Sequence, residues 1–261
     1  VSIPAPSDSS TAVVTGASSG IGEQLARALS ARGHHVTLVA RRSERLERLA
    51  GELGNAAVAP ADLTEPAARD GLAAAVEEAG LAVEVLVNCA GFGVYQPFYQ
   101  SARFRELEQI RLLAEAPMDL MHRWLPPMVE RSRGAVINMS STAGFQALPY
   151  NAGYAAAKSY LLLLSEAVHA EVAGFGVTVT CVAPGPVATE FQEVSEAEFA
   201  DKLPKFTWVS PERVAQDALR ATERGDRVVI PGGRVVEATF GTNRYAPRGV
   251  ALSVAKRLMG K

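Results

Sequence analysis

Thr11–Gly22, TAVVTGASSGIG, decides the fold. Thr11 to Thr15 is a short apolar run that ends at a glycine, as a strand buried on both faces of a parallel sheet does. Gly16, Gly20 and Gly22 follow with T-G-x-x-x-G-x-G spacing. From Glu23 onward Leu25, Ala28 and Leu29 take up a helical spacing. A strand that turns through glycines into a helix makes an anion seat. Glycine permits the tight turn and close backbone approach, and the helix N-terminus offers free N–H groups to a pyrophosphate. The hydroxyls of Ser18 and Ser19 can add hydrogen bonds, so Gly16, Ser18, Ser19, Gly20 and Ile21 are the candidate contacts.

Outward from this unit the pattern repeats. Gly33 stops the first helix. Val36–Ala40 reads as the second strand, Ser43–Leu53 as a helix, Ala56–Ala59 as a short strand, Pro66–Ala79 as a helix and Val83–Val87 as the fourth strand. A long helix is expected within Ala102–Arg131, bent or ended by Pro117, Pro126 and Pro127. Ala135–Met139 is the fifth strand, about Gly153 to Ala173 a helix, Val177–Val182 the sixth strand and Val228–Ile230 a short seventh. This alternation predicts an α/β, Rossmann-type, doubly wound parallel sheet of about seven strands with helices on both faces. Nothing between the halves reads as a linker, and no period repeats. Residues 11–261 are therefore expected to form one domain behind a flexible arm at 1–10, the polar, Pro- and Ser-rich VSIPAPSDSS.

The composition is 48% hydrophobic and 21% charged, ordinary for a soluble globular protein. A formal net charge of −2 gives no electrostatic case for nucleic acid. Cys89 and Cys181 lie in apolar runs and read as buried thiols, which suits a reducing compartment. With no C-x-x-C pair and no H-E-x-x-H, no metal site is expected. His34, His35, His122 and His169 fall at turns or on helices outside the motifs. No apolar run is long enough for a membrane span, and the N-terminal stretch lacks the basic start and apolar core of a signal peptide. These features point to the cytoplasm.

Two further stretches carry chemistry. In Ser140–Lys158 a serine pair precedes Tyr154 and Lys158, which at i and i+4 share one helix face. A close positive charge favours the phenolate form of a tyrosine, so the pair suits proton transfer near neutral pH. At the end of the second strand an NAD-preferring site places a carboxylate for the ribose hydroxyls. Here the chain reads Val39-Ala40-Arg41-Arg42. Two guanidiniums suit a 2′-phosphate, since arginine pairs phosphate bidentately, and this points to NADP(H) with Arg41 leading and Arg42 assisting.

With these pieces in order the chain resembles the short-chain dehydrogenase/reductase family over roughly Thr11 to Pro231. The resemblance rests on TGASSGIG at Thr15–Gly22, Asp62-Leu63 after the third strand, and NCAG at Asn88–Gly91. Ser141, Tyr154-x-x-x-Lys158 and PGPVAT at Pro184–Thr189 complete it. LVARR, INMSSTAGF and TVTCVAPGPVATEF are closer still to bacterial ketoacyl reductases of that family. The resemblance implies that Tyr154 exchanges a proton with the substrate oxygen as hydride moves to or from the nicotinamide. It implies that Lys158 lowers the phenol's pKa and holds the nicotinamide ribose, and that Ser141, with Ser140 as second choice, hydrogen-bonds the substrate. It assigns Asp62 and Leu63 to the adenine, Asn88, Ala90 and Gly91 to the adenosine ribose, and Pro184, Gly185, Val187 and Thr189 to the carboxamide. It also implies a homodimer or homotetramer built on the helices flanking the fifth strand.

Two positions depart from the family. In Arg111-Leu112-Leu113-Ala114-Glu115-Ala116-Pro117, Leu113 stands where relatives carry an asparagine that helps hold a water linking the lysine to solvent. Cys89 stands where many have a second asparagine. The leading expectation is an NADPH-dependent carbonyl reductase. The alternative is an NADP(H)-binding sensor or non-catalytic partner subunit with an impaired relay. Phe92, Tyr95, Phe145, Phe191 and Trp208 lie in loops expected beside the cofactor, and predict an apolar pocket for a small hydrophobic carbonyl or alcohol. Residues 190–209 are the expected substrate loop. The tail 232–261 ends in a basic amphipathic segment at 248–261, which can dock on protein or touch a membrane surface.

Overall fold

A computed structural model describes residues 3–191, 195, 204–241 and 247–259. Its seven strands are β1 (Ser10–Thr15), β2 (Val36–Ala40), β3 (Ala56–Pro60), β4 (Ala82–Asn88), β5 (Gly134–Met139), β6 (Val177–Val182) and β7 (Val228–Val229). They pair in parallel in the order β3-β2-β1-β4-β5-β6-β7. The strand order reverses between β1 and β4, and α/β sheets open a ligand crevice at such a switch point.

Helices cover both faces. On one face α1 (Gly20–Ser30), α2 (Ser43–Leu53) and α7 (Pro211–Arg224) put Leu25, Leu29, Leu46 and Leu219 against Ala12 and Val14. On the other, α3 (Pro66–Glu78), α5 (Ala116–Glu130) and α6 (Ala152–Val172) put Leu72, Leu120, Met128 and Val172 against Val13 and Val136. The alternation of Ala12, Val13 and Val14 between two cores is the period of a strand buried on both sides.

The long helix, expected to be bent or ended by its prolines, is interrupted by a π turn before Pro117 and not ended by Pro126 or Pro127. After α4 (Arg103–Ile110) a π turn spans Arg111–Glu115, and α5 then runs through Pro126 and Pro127. The Ala116 N–H reaches back five residues to Arg111 O, just before Pro117. The widened turn makes room for a ring that would collide with a carbonyl in a regular helix. Trp124 and Met128 are locked in the core on either side of the later prolines, and that packing holds the helix together.

The N-terminal segment is not a free arm over its described residues. Pro4 is buried, Ile3 packs on the core, and the Ala5 carbonyl accepts a hydrogen bond from Arg133. Ser10 already belongs to β1. Among the described residues three α-helices follow β6. α7 is capped by Ser210, whose Oγ accepts from Arg213 N (3.2 Å), and ends at left-handed Gly225. α8 (Arg234–Gly241) and α9 (Arg248–Met259) lie beside the crevice, with Ala255 of α9 buried. No helix among the described residues is long and apolar enough to cross a membrane.

Candidate active site

The loops after the carboxyl ends of β1 to β6 enclose a cavity of about 1000 Å³. Its floor is the glycine turn. Gly16 adopts φ +70°, and a Cβ there would stand 2.9 Å from the backbone of Ala90. Thr15 fixes the same junction: its Oγ1 donates to Val87 O (3.1 Å) and accepts from Cys89 N (2.9 Å) and Ala90 N (3.1 Å). Ser18, Ser19, Gly20 and Ile21 line the crevice at the start of α1.

One end is basic. Arg41 is largely exposed and lies 3.9 Å from the Asp62 carboxylate. Asp62 is oriented by Thr64, which donates its N–H (3.0 Å) and its hydroxyl (2.8 Å). Arg42 donates to Ser18 Oγ (2.9 Å) and Ser19 Oγ (3.0 Å), and its other amino group meets Glu190 Oε2 (2.8 Å). Arg45 takes Glu190 Oε1 at 2.6 Å. Hydrogen bonds from Arg42 and then Arg45 hold the Glu190 carboxyl below the usual carboxylate range.

The other end is buried. Ser140 and Ser141 leave β5 in opposite directions. Ser140 donates its hydroxyl to Lys158 O (2.7 Å), while Ser141 accepts from Ala143 N (3.1 Å) at the rim of the crevice. Tyr154 and Lys158 stand in the first turns of α6, both less than a tenth exposed. Lys158 Nζ donates to Met139 O (2.7 Å) and lies 5.6 Å from the centroid of the Tyr154 ring.

Burial dominates the titration of this pair. It pushes the Tyr154 phenol up to about 12, with the Ser141 hydrogen bond pulling the other way. It pushes the Lys158 ammonium down to about 8. The expected lowering of the phenol by its neighbouring lysine is therefore not what the folded chain displays. Removing charge from water costs more here than an ammonium engaged with a carbonyl returns. Burial likewise lifts the Cys89 thiol to about 12. Leu113 adds to the dry environment. It is 1% exposed, sits in the π turn, and packs with Tyr154 and Ala157. A Cβ on Gly91 would lie 2.8 Å from Leu113 Cδ2 and 3.9 Å from Lys158 Nζ.

Most of the predicted residues converge on the crevice. Leu63, Ala90 and Gly91 line it, as do Pro184, Gly185, Val187 and Thr189. Phe92, Tyr95 and Phe191 also line it, and the Phe191 ring lies 5.6 Å from that of Tyr154. Three expected contacts lie elsewhere. Asn88 is not at the wall: its amide donates to Asn138 Oδ1 (2.8 Å) inside the sheet, and Cys89 takes its place in the crevice. Phe145 packs on the hydrophobic core at the end of the short 3-10 helix Thr142–Phe145. Trp208 follows the short 3-10 helix Lys205–Thr207, is half-buried between buried Thr207 and Val209, and is not among the residues that line the crevice. Within the expected substrate loop, 192–194 and 196–203 lie outside the described residues.

Two sets of wall residues were not foreseen. Asn151 precedes α6 but caps it with no side-chain bond. It lines the crevice with its Oδ1 buried and without a protein partner. The remainder come from the tail: Phe240 of α8 covers Gly185, and Val250, Ala251 and Val254 of α9 border the mouth. An asparagine just before a helix reads as a cap in any sequence, and the tail motif named no target. No group of acidic, His and Cys side chains suited to a metal occurs among the described residues.

A family model described as short chain dehydrogenase matches residues 10–199. The chain is 37% identical over 187 residues to NADP-dependent 3-hydroxy acid dehydrogenase YdfG of Salmonella typhi, covering 70% of this chain and 75% of that protein. It is 34% identical over 235 residues to glycine betaine reductase ATRR of Emericella nidulans. That match covers 86% of this chain but only 18% of the longer protein. A short-chain dehydrogenase from Sphingobium yanoikuyae, solved with NADPH, superposes with a TM-score of 0.79 at 29% identity, covering 90% of this chain and 92% of that one.

Proposed function

Because the chain belongs to the short-chain dehydrogenase family, we propose that it is an NADP(H)-dependent oxidoreductase acting on a carbonyl or alcohol carbon, with a hydrophobic ketone or ketoacyl compound as substrate. One observation carries this reading. The same crevice joins a basic end, Arg41 and Arg42, to a buried phenol flanked by a hydroxyl and an ammonium.

The donor set fits a nicotinamide dinucleotide phosphate. Arg41, Arg42 and Ser18 suit the 2′-phosphate, and the start of α1 with Ser19 suits the pyrophosphate. Asp62 and Leu63 suit the adenine, and Pro184, Gly185, Val187 and Thr189 the carboxamide. The bound dinucleotide supplies or takes the hydride. Tyr154 gives its phenolic proton to the carbonyl oxygen in reduction and recovers it in oxidation. Burial keeps that phenol protonated across the neutral range, so it stands ready as an acid. Ser141 offers its hydroxyl to the same oxygen, and Lys158, as the ammonium, stabilises the phenolate that forms. Phe92, Tyr95 and Phe191 exclude water and favour an apolar substituent on the substrate.

The exposed apolar residues Phe104, Leu107 and Ile110 on α4 and Leu163 on α6 support a homodimer through these helices. Leu113 favours a second reading, a nucleotide-binding protein without turnover, because beside Lys158 and Gly91 it offers no hydrogen bond to a relay water. NADPH absorbance, followed across aliphatic, aromatic and acyl ketones, separates the two. Turnover of at least one ketone, abolished in Tyr154→Phe, is expected. Tight NADPH binding with no turnover on any ketone would favour the second reading.

A further inference from the structure

Glu190 sits at a junction that none of the roles above uses. Its carboxylate joins Arg42 (2.8 Å) and Arg45 (2.6 Å) at the start of α2, although these residues are 148 and 145 positions away in sequence. Arg42 in turn holds Ser18 and Ser19, so one carboxylate ties the loop after β6 to both the glycine turn and the β2–α2 corner. On its N-terminal side Thr189 packs on Gly20, where a Cβ would lie 3.1 Å from Thr189 Cγ2. On its C-terminal side is Phe191, whose ring leans on Tyr154 at 5.6 Å and 54°. The Phe191 carbonyl accepts from Ser195 N (2.9 Å), and the buried Ser195 hydroxyl accepts from Gly93 N (2.9 Å).

We propose that Glu190 is a positioning residue for the substrate site: clamped by Arg42 and Arg45, it fixes Phe191 against Tyr154 and so sets the wall that orients the carbonyl compound. Along this strap Glu190 meets Arg42 and Arg45 at the basic end of the crevice, Phe191 lies beside the proton donor, and Ser195 meets Gly93 in the loop after β4. These contacts hold Phe191 from both sides. The Ser195–Gly93 bond fixes only the far end. Loss of the carboxylate frees the near end, and Phe191 then loses its fixed angle while Tyr154, on α6, keeps its place. The part concerning substrate rests on the reading of the site as a carbonyl oxidoreductase.

Two measurements on the full chain test it. In the ligand-free protein, amide exchange of the peptide containing Phe191 and Ser195 is expected to speed up roughly tenfold in Glu190→Gln, with β6 unchanged. Equal exchange in the two proteins would overturn the strap itself, whatever reaction the protein carries out. In turnover at saturating NADPH, Glu190→Gln is expected to raise KM for the carbonyl substrate roughly tenfold with kcat within about threefold, the scale of two partly exposed ion pairs. Glu190→Asp should recover most of the loss, and Arg45→Gln should fall between wild type and Glu190→Gln. An unchanged KM accompanied by weaker NADPH binding would overturn the positioning role. If the wild type turns over no carbonyl compound, the proposed function fails, and the exchange experiment still decides the strap.

Discussion

Leu113→Asn tests how the burial of Lys158 governs activity. Leu113 is 1% exposed and reaches the same point beside Gly91 as the lysine Nζ, whose ammonium burial has pushed down to about 8. Full relief, back to the ordinary value of 10.5, corresponds to about 3 kcal/mol. An amide at position 113 brings one polar partner and room for water, so roughly a third of that is expected, which moves the titration to about pH 9. The sign follows from the role of the ammonium. Reduction needs Lys158 charged, so the rate falls as pH rises through its pKa. Wild-type kcat/KM for the carbonyl substrate is then half-maximal near pH 8 and about a tenth of its plateau at pH 9, where the variant retains about half. The substitution also exchanges a packed leucine for an incompletely bonded amide, costing about 2 kcal/mol and lowering Tm by about 4–8 °C. The assay is kcat/KM for the carbonyl substrate against pH at saturating NADPH, with a melting curve for each protein. A variant with a lower Tm and an unmoved basic limb would refute the link between Leu113 and Lys158.

Other outcomes follow from the same geometry. Tyr154→Phe should lower turnover by about a thousandfold or more while NADPH affinity, read by fluorescence titration, changes by less than about threefold. Arg41→Ala should weaken NADPH binding by about tenfold or more and leave NADH binding unchanged, since only the 2′-phosphate is read there. Leu163→Glu, on the exposed apolar face of α6, should shift the proposed homodimer to a monomer in sedimentation; a parent chain that sediments as a monomer would refute the dimer. Trp208→Ala should not alter KM for any carbonyl substrate, because that residue is not among those lining the crevice.

The sheet was legible because its strands are short apolar runs set at regular intervals between helical patterns. Each strand appears within a residue or so of its expected bounds at most ends. The prolines misled, since local propensity says nothing of a π turn that accommodates Pro117 or of core contacts that carry α5 through Pro126 and Pro127. α7 went unmarked although Ser210, Pro211 and Gly225 bracket it with a cap, a first-turn proline and a left-handed stop. At the site, the motif residues were found because glycine turns and i, i+4 pairs depend on near neighbours. Trp208 and Phe145 were misplaced because each sits at a short 3-10 helix whose packing depends on distant parts of the chain. Asn151 was invisible for the same reason, while the amphipathic tail was legible as a docking segment without its target. Burial of Tyr154 and Lys158, which reverses the expected direction of the phenol's shift, is a property of the whole fold.

The tail has a consequence for how such a protein changes over generations. Among the described residues α8 and α9 follow β7 and add no strand to the sheet, yet Phe240, Val250 and Val254 line the crevice. The proton donor and the phosphate seat stand on elements completed earlier in the chain. A duplicated copy could therefore exchange residues 232–261 and reshape the crevice while the glycine turn and the Tyr154–Lys158 pair stayed intact. Diversification would be cheapest at the end of the chain that the sheet depends on least.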